Sequence, residues 1–352
     1  MVCLALNTKL DRLIYRRKNM AVTLEDVAKK AGVSHTTVSL VLKGDNKISK
    51  RTREKVLQAV SEMNYYPNYH ARSLANGKTG TIAVVATFFS SFFAADIMKG
   101  IEDESLRTDY NISQYSTKGD RNRQEALLKN ILYGRMADAV IVVSIEPERA
   151  ILDEYMRKGV PVIFIERAVE GFCAAKVDNE KGASLAAEYI IKSGRKNIAM
   201  LYGKYEDGDC SNSRERLTGF RRTLDRAGIG LPDGNIIRSA YEMSDGAGAL
   251  DEILKIDRKI DAVFCATGDM TAIGLMKQAA SLGIKVPQDI AVIGYDDILV
   301  SSIVNPALTT VRQPIIKLGR EAFNMARSMA HEPDGEPAVT VFEPELIIRE
   351  SA

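Results

Sequence analysis

Around Thr81 the apolar pattern of this chain changes period, and that change limits its fold more than any other feature. Before it, apolar residues recur at helical spacing; after it, short and nearly continuous apolar runs alternate with helical stretches. The runs at 81–87, 111–116, 139–143, 160–165, 197–201, 262–265 and 290–294 predict strands, and stretches such as 94–107, 122–133, 180–192, 214–227 and 270–282 predict helices between them. Strands this apolar are buried on both faces, the pattern of parallel sheets flanked by helices. About 270 residues exceed what one such sheet organises, so two lobes are expected, one from 80–179 and 312–335 and the other from 180–311 and 336–352.

The segment before the change reads TLEDVAKKAGVSHTTVSLVLKG from Thr23. Thr23 is a suitable helix cap, with Glu25 and Asp26 in the first turn where the helix dipole favours negative charge. Leu24, Val27, Ala28 and Ala31 form one apolar face; Gly32 breaks the helix, and Ser34 caps a second one carrying Val38, Val41 and Leu42. A turn this tight forces a steep crossing, which asks for a small residue at the contact (Ala28), a permissive one in the turn (Gly32) and an apolar wedge (Val38). That arrangement is a helix-turn-helix, with the N-terminal side chains of its second helix facing the major groove. A third helix from about Lys50 to Met63 completes an all-α headpiece over 21–67.

Net charge agrees with this division. Residues 1–78 carry 15 Lys and Arg against 6 Asp and Glu, whereas the remainder carries 33 against 40. A basic segment on an otherwise acidic chain suits a polyanion, because phosphate neutralisation supplies most non-specific nucleic-acid affinity. Residues 1–20 show no packed pattern and are expected to be a disordered extension. Residues 68–79 read as a hinge helix and linker too short to hold a helix alone in water, so DNA is the expected partner that orders it, with Leu74 wedged into a minor-groove step.

Catalysis and secretion are poorly supported. The chain lacks GxSxG, Walker and GxGxxG motifs; its histidines are His35, His70 and His331, two of them before the core. Cys3, Cys173, Cys210 and Cys265 form no metal spacing, so neither metal nor cofactor is expected. No apolar run reaches the roughly 18 residues of a membrane span, and no export signal precedes the headpiece, which points to a cytoplasmic protein. A small-molecule receptor without a DNA role and an enzyme with an appended headpiece are the competing readings; the headpiece argues against the first and the missing motifs against the second. In open α/β sheets ligands bind beyond the carboxyl ends of strands. Here those ends hold Phe88 to Phe93, Glu166-Arg167, Asp207 to Arg216, Gly268-Asp269 and Tyr295-Asp296-Asp297.

TLEDVAKKAGVSHTTVSLVLKG, ISKRTREKV, NYYPN and ARSLANGKTGTIAVV resemble the headpiece and hinge of the lactose-repressor (LacI/GalR) family. GVPVIFIER, VDNEKGA, RLTGF, PQDIAVIGYDD, NPALTTVRQP and ELIIRES resemble its core, which is similar to periplasmic sugar-binding proteins. The resemblance implies a homodimeric transcriptional repressor on a pseudo-palindromic operator, controlled by a small effector between the lobes. It assigns base contacts to His35, Thr36, Leu40 and Leu74, and phosphate contacts to Thr23, Ser34, Thr37, Ser39 and Asn68. For the effector it points to Arg216 and Asp296, then Phe93, Asn212, Asp269 and Glu166. Three positions depart from the family pattern: Leu40 stands where several members carry arginine, Gly268 where some carry an amide, and Glu166 where a shorter aspartate is frequent. A sugar or sugar derivative is the first expectation for the effector, a nucleoside or purine the second.

Overall fold

The computed structural model describes residues 22–66, 77–205, 208–209, 211–256, 259–333 and 335–352. Contacts divide the chain into two compact units, Met1–Thr79 and Gly80–Ala352. The expected extension, Asn68, Leu74 and most of the hinge lie outside the described residues.

The first unit contains three helices, α1 (Leu24–Ala31), α2 (His35–Leu42) and α3 (Lys50–Glu62). Each start is fixed by a local cap. The Thr23 hydroxyl accepts from the Asp26 amide while Asp26 reaches back to the Thr23 backbone; Ser34 accepts from Thr37 N and Ser49 from Thr52 N. Gly32 ends α1 at φ 66°, a left-handed conformation that glycine adopts without steric cost. Val27, Val38 and Val56, one per helix, are fully buried and meet in a small core with Ala28, Val41, Ala59 and Tyr65. Val38 is thus the wedge expected from its spacing.

The second unit has two sheets. The first is wholly parallel, in the order β12-β5-β4-β3-β1-β2, comprising β1 (Thr81–Ala86), β2 (Asn111–Ser116), β3 (Ala139–Val143), β4 (Val162–Ile165), β5 (Cys173–Val177) and β12 (Val339–Phe342). The second runs β13-β11-β10-β9-β6-β7, with β8 on the other side of β6. Its members are β6 (Ile198–Tyr205), β7 (Gly208–Asp209), β8 (Ile236–Ser239), β9 (Ala262–Cys265), β10 (Ala291–Asp296), β11 (Thr309–Arg312) and β13 (Glu345–Ile347). Only β7 and β13 pair antiparallel.

Alternation along each strand explains the layers. In β1, Ile82, Val84 and Ala86 pack under α4 (Phe92–Ser105) and α11 (Ile315–His331), whereas Ala83 and Val85 face α5 (Arg121–Tyr133) and α6 (Arg149–Arg157). In the second sheet, Ala199 and Leu201 of β6 face α9 (Met243–Ile253) and α10 (Asp269–Ser281); Ile198 and Met200 face α7 (Asn179–Lys192) and α8 (Ser211–Arg226). Gly219 lets α8 press onto α7, since a Cβ there would stand 2.1 Å from the Glu180 carbonyl oxygen.

One expected boundary needs correction. The sequence pattern places 336–352 whole in the second lobe, yet β12 pairs with β5 in the first sheet, and the chain crosses back only between Phe342 and Glu345. Its half-exposed, alternating pattern is that of an edge strand, which carries too little apolar signal to reveal its sheet.

Candidate functional site

The lobe boundary, where the effector cleft is expected, is organised around Arg216. Arg216 is 3% exposed, so its charged group lies almost wholly out of water and needs partners. Nε donates to Asn179 Oδ1 at 2.8 Å, Nη1 donates to the Ala266 carbonyl at 2.8 Å, and the plane stacks on Tyr295 at 3.7 Å from the ring centroid. Burial works against its charge, but Tyr295, Asp296 and Glu166 outweigh that and hold its pKa above the ordinary value.

Asp296 ends β10 at φ 114°. Its Oδ1 accepts from Gln313 Nε2 at 2.6 Å, and its Oδ2 lies beside Gly268, where a Cβ would come within 2.9 Å. Burial pushes the carboxyl up to about 8, a rise that Arg216 opposes and Asp269 reinforces. Glu166, at φ 78° just past β4, accepts from Ser144 Oγ and from Asn212 Nδ2, the latter at 3.1 Å. Burial raises its pKa as well. The structure therefore brings Glu166, Asp296 and the α8 pair Asn212 and Arg216 together from three distant parts of the sequence.

Asp269 belongs to the base of this group, with both carboxylate oxygens engaged within the protein. Its Oδ2 accepts from Ile298 N at 2.9 Å and Ser301 Oγ at 2.7 Å, and its Oδ1 accepts from Thr310 Oγ1 at 2.5 Å. A 1%-exposed carboxylate with both oxygens engaged anchors the loop after β10, and burial pushes it up to about 7. These internal bonds are what the structure shows of the residue expected as an effector contact. Phe93 is half-buried against the first-sheet core, while Phe88 and Phe92 beside it are 51% and 42% exposed. The aromatic surface at this strand end is thus chiefly Phe88 and Phe92.

Two contributors escaped the sequence reading. Asn179, 2% exposed, accepts from both Arg216 and the Tyr295 hydroxyl (3.2 Å) and donates to Glu215 at 3.1 Å. Gln313 orients Asp296. Asn179 follows the helix cap Asp178 and so looks like an ordinary start of α7; only the fold shows that its amide reaches Arg216. Among the described residues no cluster of His, Cys, Asp and Glu is placed to hold a metal ion.

In the headpiece, Thr23, Ser34, His35 and Thr36 are exposed, and Thr37, Ser39 and Leu40 are half-buried. His35 Nδ1 and Thr36 Oγ1 lie 3.0 Å apart at the start of α2. Thr23 and Ser34 use their hydroxyls to accept from the Asp26 and Thr37 amides, and the positive N-terminal ends of α1 and α2 beside them favour anions.

A helix-turn-helix joined to a two-sheet α/β core with a polar cleft defines a ligand-responsive DNA-binding regulator. Residues 23–68 match the lacI family of bacterial regulatory proteins, and residues 187–352 match a periplasmic binding protein-like domain. The HTH-type transcriptional repressor PurR of Vibrio campbellii is 32% identical over 331 residues, covering 93% of this chain and 97% of that one. Among solved structures, the transcriptional regulator CelR–cellobiose complex is 29% identical with TM-score 0.72 over 94% of this chain and 100% of the other. The lac repressor dimer bound to operator and the anti-inducer ONPF is 25% identical with TM-score 0.82 over 94% and 99%. The chain belongs to the lacI family: it is a DNA-binding transcriptional regulator with an effector-binding core, not an enzyme. No helix among its described residues is long and apolar enough to cross a membrane.

Proposed function

We propose that this regulator is a cytoplasmic homodimeric repressor that binds a pseudo-palindromic operator and is controlled by a hydroxyl-rich effector, a sugar or sugar derivative, in the cleft. The observation that carries the effector class is the buried Arg216 guanidinium, held by Asn179 and the Ala266 carbonyl, with the acids Asp296 and Glu166 near enough to act on its charge. A guanidinium fork donates to neighbouring hydroxyl oxygens, and an acid beside it either accepts their protons or, when protonated, donates its own. Asn212 and Glu166 extend that polar edge, and exposed Phe88 and Phe92 offer rings to an apolar face. The CelR relative was solved with cellobiose, which supports a sugar.

On DNA, His35, Thr36 and Leu40 would contact bases, and Thr23, Ser34, Thr37 and Ser39 would contact phosphates. Asn68 and Leu74, outside the described residues, keep their proposed phosphate and minor-groove roles. Leu40 offers a thymine methyl an apolar contact and cannot bond guanine as arginine does, so the operator core differs from that of members with arginine there. Dimerisation is supported by an exposed apolar face on the second lobe, where Leu299 and Ile303 are 73% and 72% exposed.

A thermal-shift panel of mono- and disaccharides, sugar phosphates, nucleosides and purines tests the effector class. A shift given only by a hydroxyl-rich sugar, and lost in Arg216→Lys, fits the proposal; a shift given only by purine bases contradicts it.

A further inference from the structure

The first turn of α8 presents Asn212, Glu215 and Arg216, spaced three and four residues apart and hence on one side of the helix. Two of them reach into the other lobe. Asn212 donates to Glu166 beyond β4, and Glu215 Oε1 accepts from Lys176 Nζ of β5 at 2.7 Å. The second oxygen, Glu215 Oε2, accepts from Asn179 Nδ2, and Asn179 Oδ1 in turn accepts from Arg216 Nε. A continuous set of hydrogen bonds therefore runs from a first-sheet strand to the cation of the cleft.

Lys176 is the anomalous member. The other residues of β5 are buried: Cys173, Ala175 and Val177 pack on one face and Ala174 on the other. Lys176 shares the face of Ala174, where the alternation calls for an apolar side chain, and its side chain is only 17% exposed. An ammonium so placed loses much of its hydration and needs a partner. Glu215, itself 31% exposed, supplies that partner from across the lobe boundary.

We propose that Lys176–Glu215 is an interlobe latch, and that Glu215 and Asn179 are positioning residues that transmit lobe spacing to the Arg216 guanidinium. When the lobes part enough to separate β5 from α8, the Lys176–Glu215 bond is lost. Glu215 is then free to swing, Asn179 loses the acceptor that fixes its amide, and Arg216 loses its oriented Nε acceptor. A ligand that needs Arg216 in its present pose holds the lobes closed; one that pulls Arg216 elsewhere opens the latch. Its leverage is its differential affinity for the two poses. This consequence rests on the proposed effector role of the cleft, whereas the latch itself does not.

The test therefore needs neither effector nor operator. Full-length protein carrying Cys3→Ser and Cys210→Ser would be spin-labelled at Asn122→Cys in the first lobe and Glu252→Cys in the second, both exposed positions. It would be diluted with unlabelled protein so that only distances within one chain are read. The expected result is one narrow distance in the parent and in Lys176→Arg, and a shift to longer, broader distances in Lys176→Met and Glu215→Gln. The Arg216 Nε–H resonance, identified by its loss in Arg216→Lys, should exchange slowly with water in the parent and quickly in Lys176→Met. A Lys176→Met distribution superimposed on the parent's would overturn the latch, and an opened Lys176→Met that keeps a protected Nε–H would overturn the relay through Asn179. Melting of each variant at the parent's temperature shows that a shift reflects opening, and a failed latch would leave the regulator reading intact.

Discussion

The headpiece and the cleft satisfy their polar groups over very different stretches of chain. In the headpiece the bonds that start each helix are local: Asp26 N to Thr23, Thr37 N to Ser34 and Thr52 N to Ser49 each span three residues. In the cleft, Arg216 to Asn179 spans 37 residues, Asn212 to Glu166 spans 46, Arg216 to Ala266 spans 50, and Tyr295 to Asn179 spans 116. Local contacts cost little loop-closure entropy and distant ones cost more. The headpiece is therefore a unit that assembles from its own caps and three valines, while the site exists only once both sheets are in place. DNA reading and ligand sensing can accordingly be broken one at a time.

The largest expected effect is that of Val38→Asp. An unpaired carboxylate at this fully buried wedge would cost roughly 3–5 kcal/mol, most of what a small helical core has to lose. Operator binding should vanish while the core's melting transition, followed by calorimetry, stays in place. A core transition that falls in parallel would show that the two units are not independent.

Arg216→Ala strikes the other side of the comparison. It strips Asn179 Oδ1 and the Ala266 carbonyl of a donor and leaves the acids without their cation, at a cost of about 3–5 kcal/mol to the core. The core transition should drop, and non-specific DNA binding by the headpiece should be unchanged. Arg216→Lys keeps the charge but not the fork, and should recover stability better than ligand binding.

The acids of the cleft give a pH signature that the headpiece lacks. Asp296 and Asp269 have folded pKa values pushed up to about 8 and about 7, above their unfolded values. The folded chain thus holds more protons than the unfolded one between about pH 4 and 8. Ligand-free core stability should be greatest on the acid side of that window, fall as pH rises through it at up to about 1.4 kcal/mol per unit for each group, and level off above it. Asp296→Asn should flatten the slope; a melting temperature that rises from pH 6 to 8.5 in the parent would contradict these environments.

The smallest effect sharpens the headpiece side. Thr23→Ala removes the capping box of α1 and should cost about 0.5–2 kcal/mol, lowering the headpiece transition without touching the core.

The same contrast explains what could be read before the fold was known. Thr23, Gly32, Ser34 and Val38 announce the headpiece because each acts on residues within one helical turn. The strands with fully buried patterns, such as β1 and β3, declare themselves by continuous apolar runs. The edge strand β12 does not, and its lobe was misassigned. Arg216 and Asp296 stand out through family likeness, but Asn179 and Gln313 look like a helix start and a loop amide until the fold carries them to the site. Asp269 is incompletely legible in the opposite direction: an acid at a strand end resembles a ligand contact, and its bonds to Ile298, Ser301 and Thr310 depend on a loop and strand that follow it by about thirty to forty residues.

The central claim is that ligand occupancy around Arg216 governs DNA affinity of the headpiece. It is tested most directly by titrating a fluorescent operator, selected from a random duplex library, with the full-length protein in the presence and absence of a ligand found by thermal shift. A change in operator Kd that is absent in Arg216→Lys, with a reciprocal change of equal size in ligand affinity when operator is bound, is the predicted result. A ligand that saturates the cleft and leaves operator Kd unchanged would contradict it.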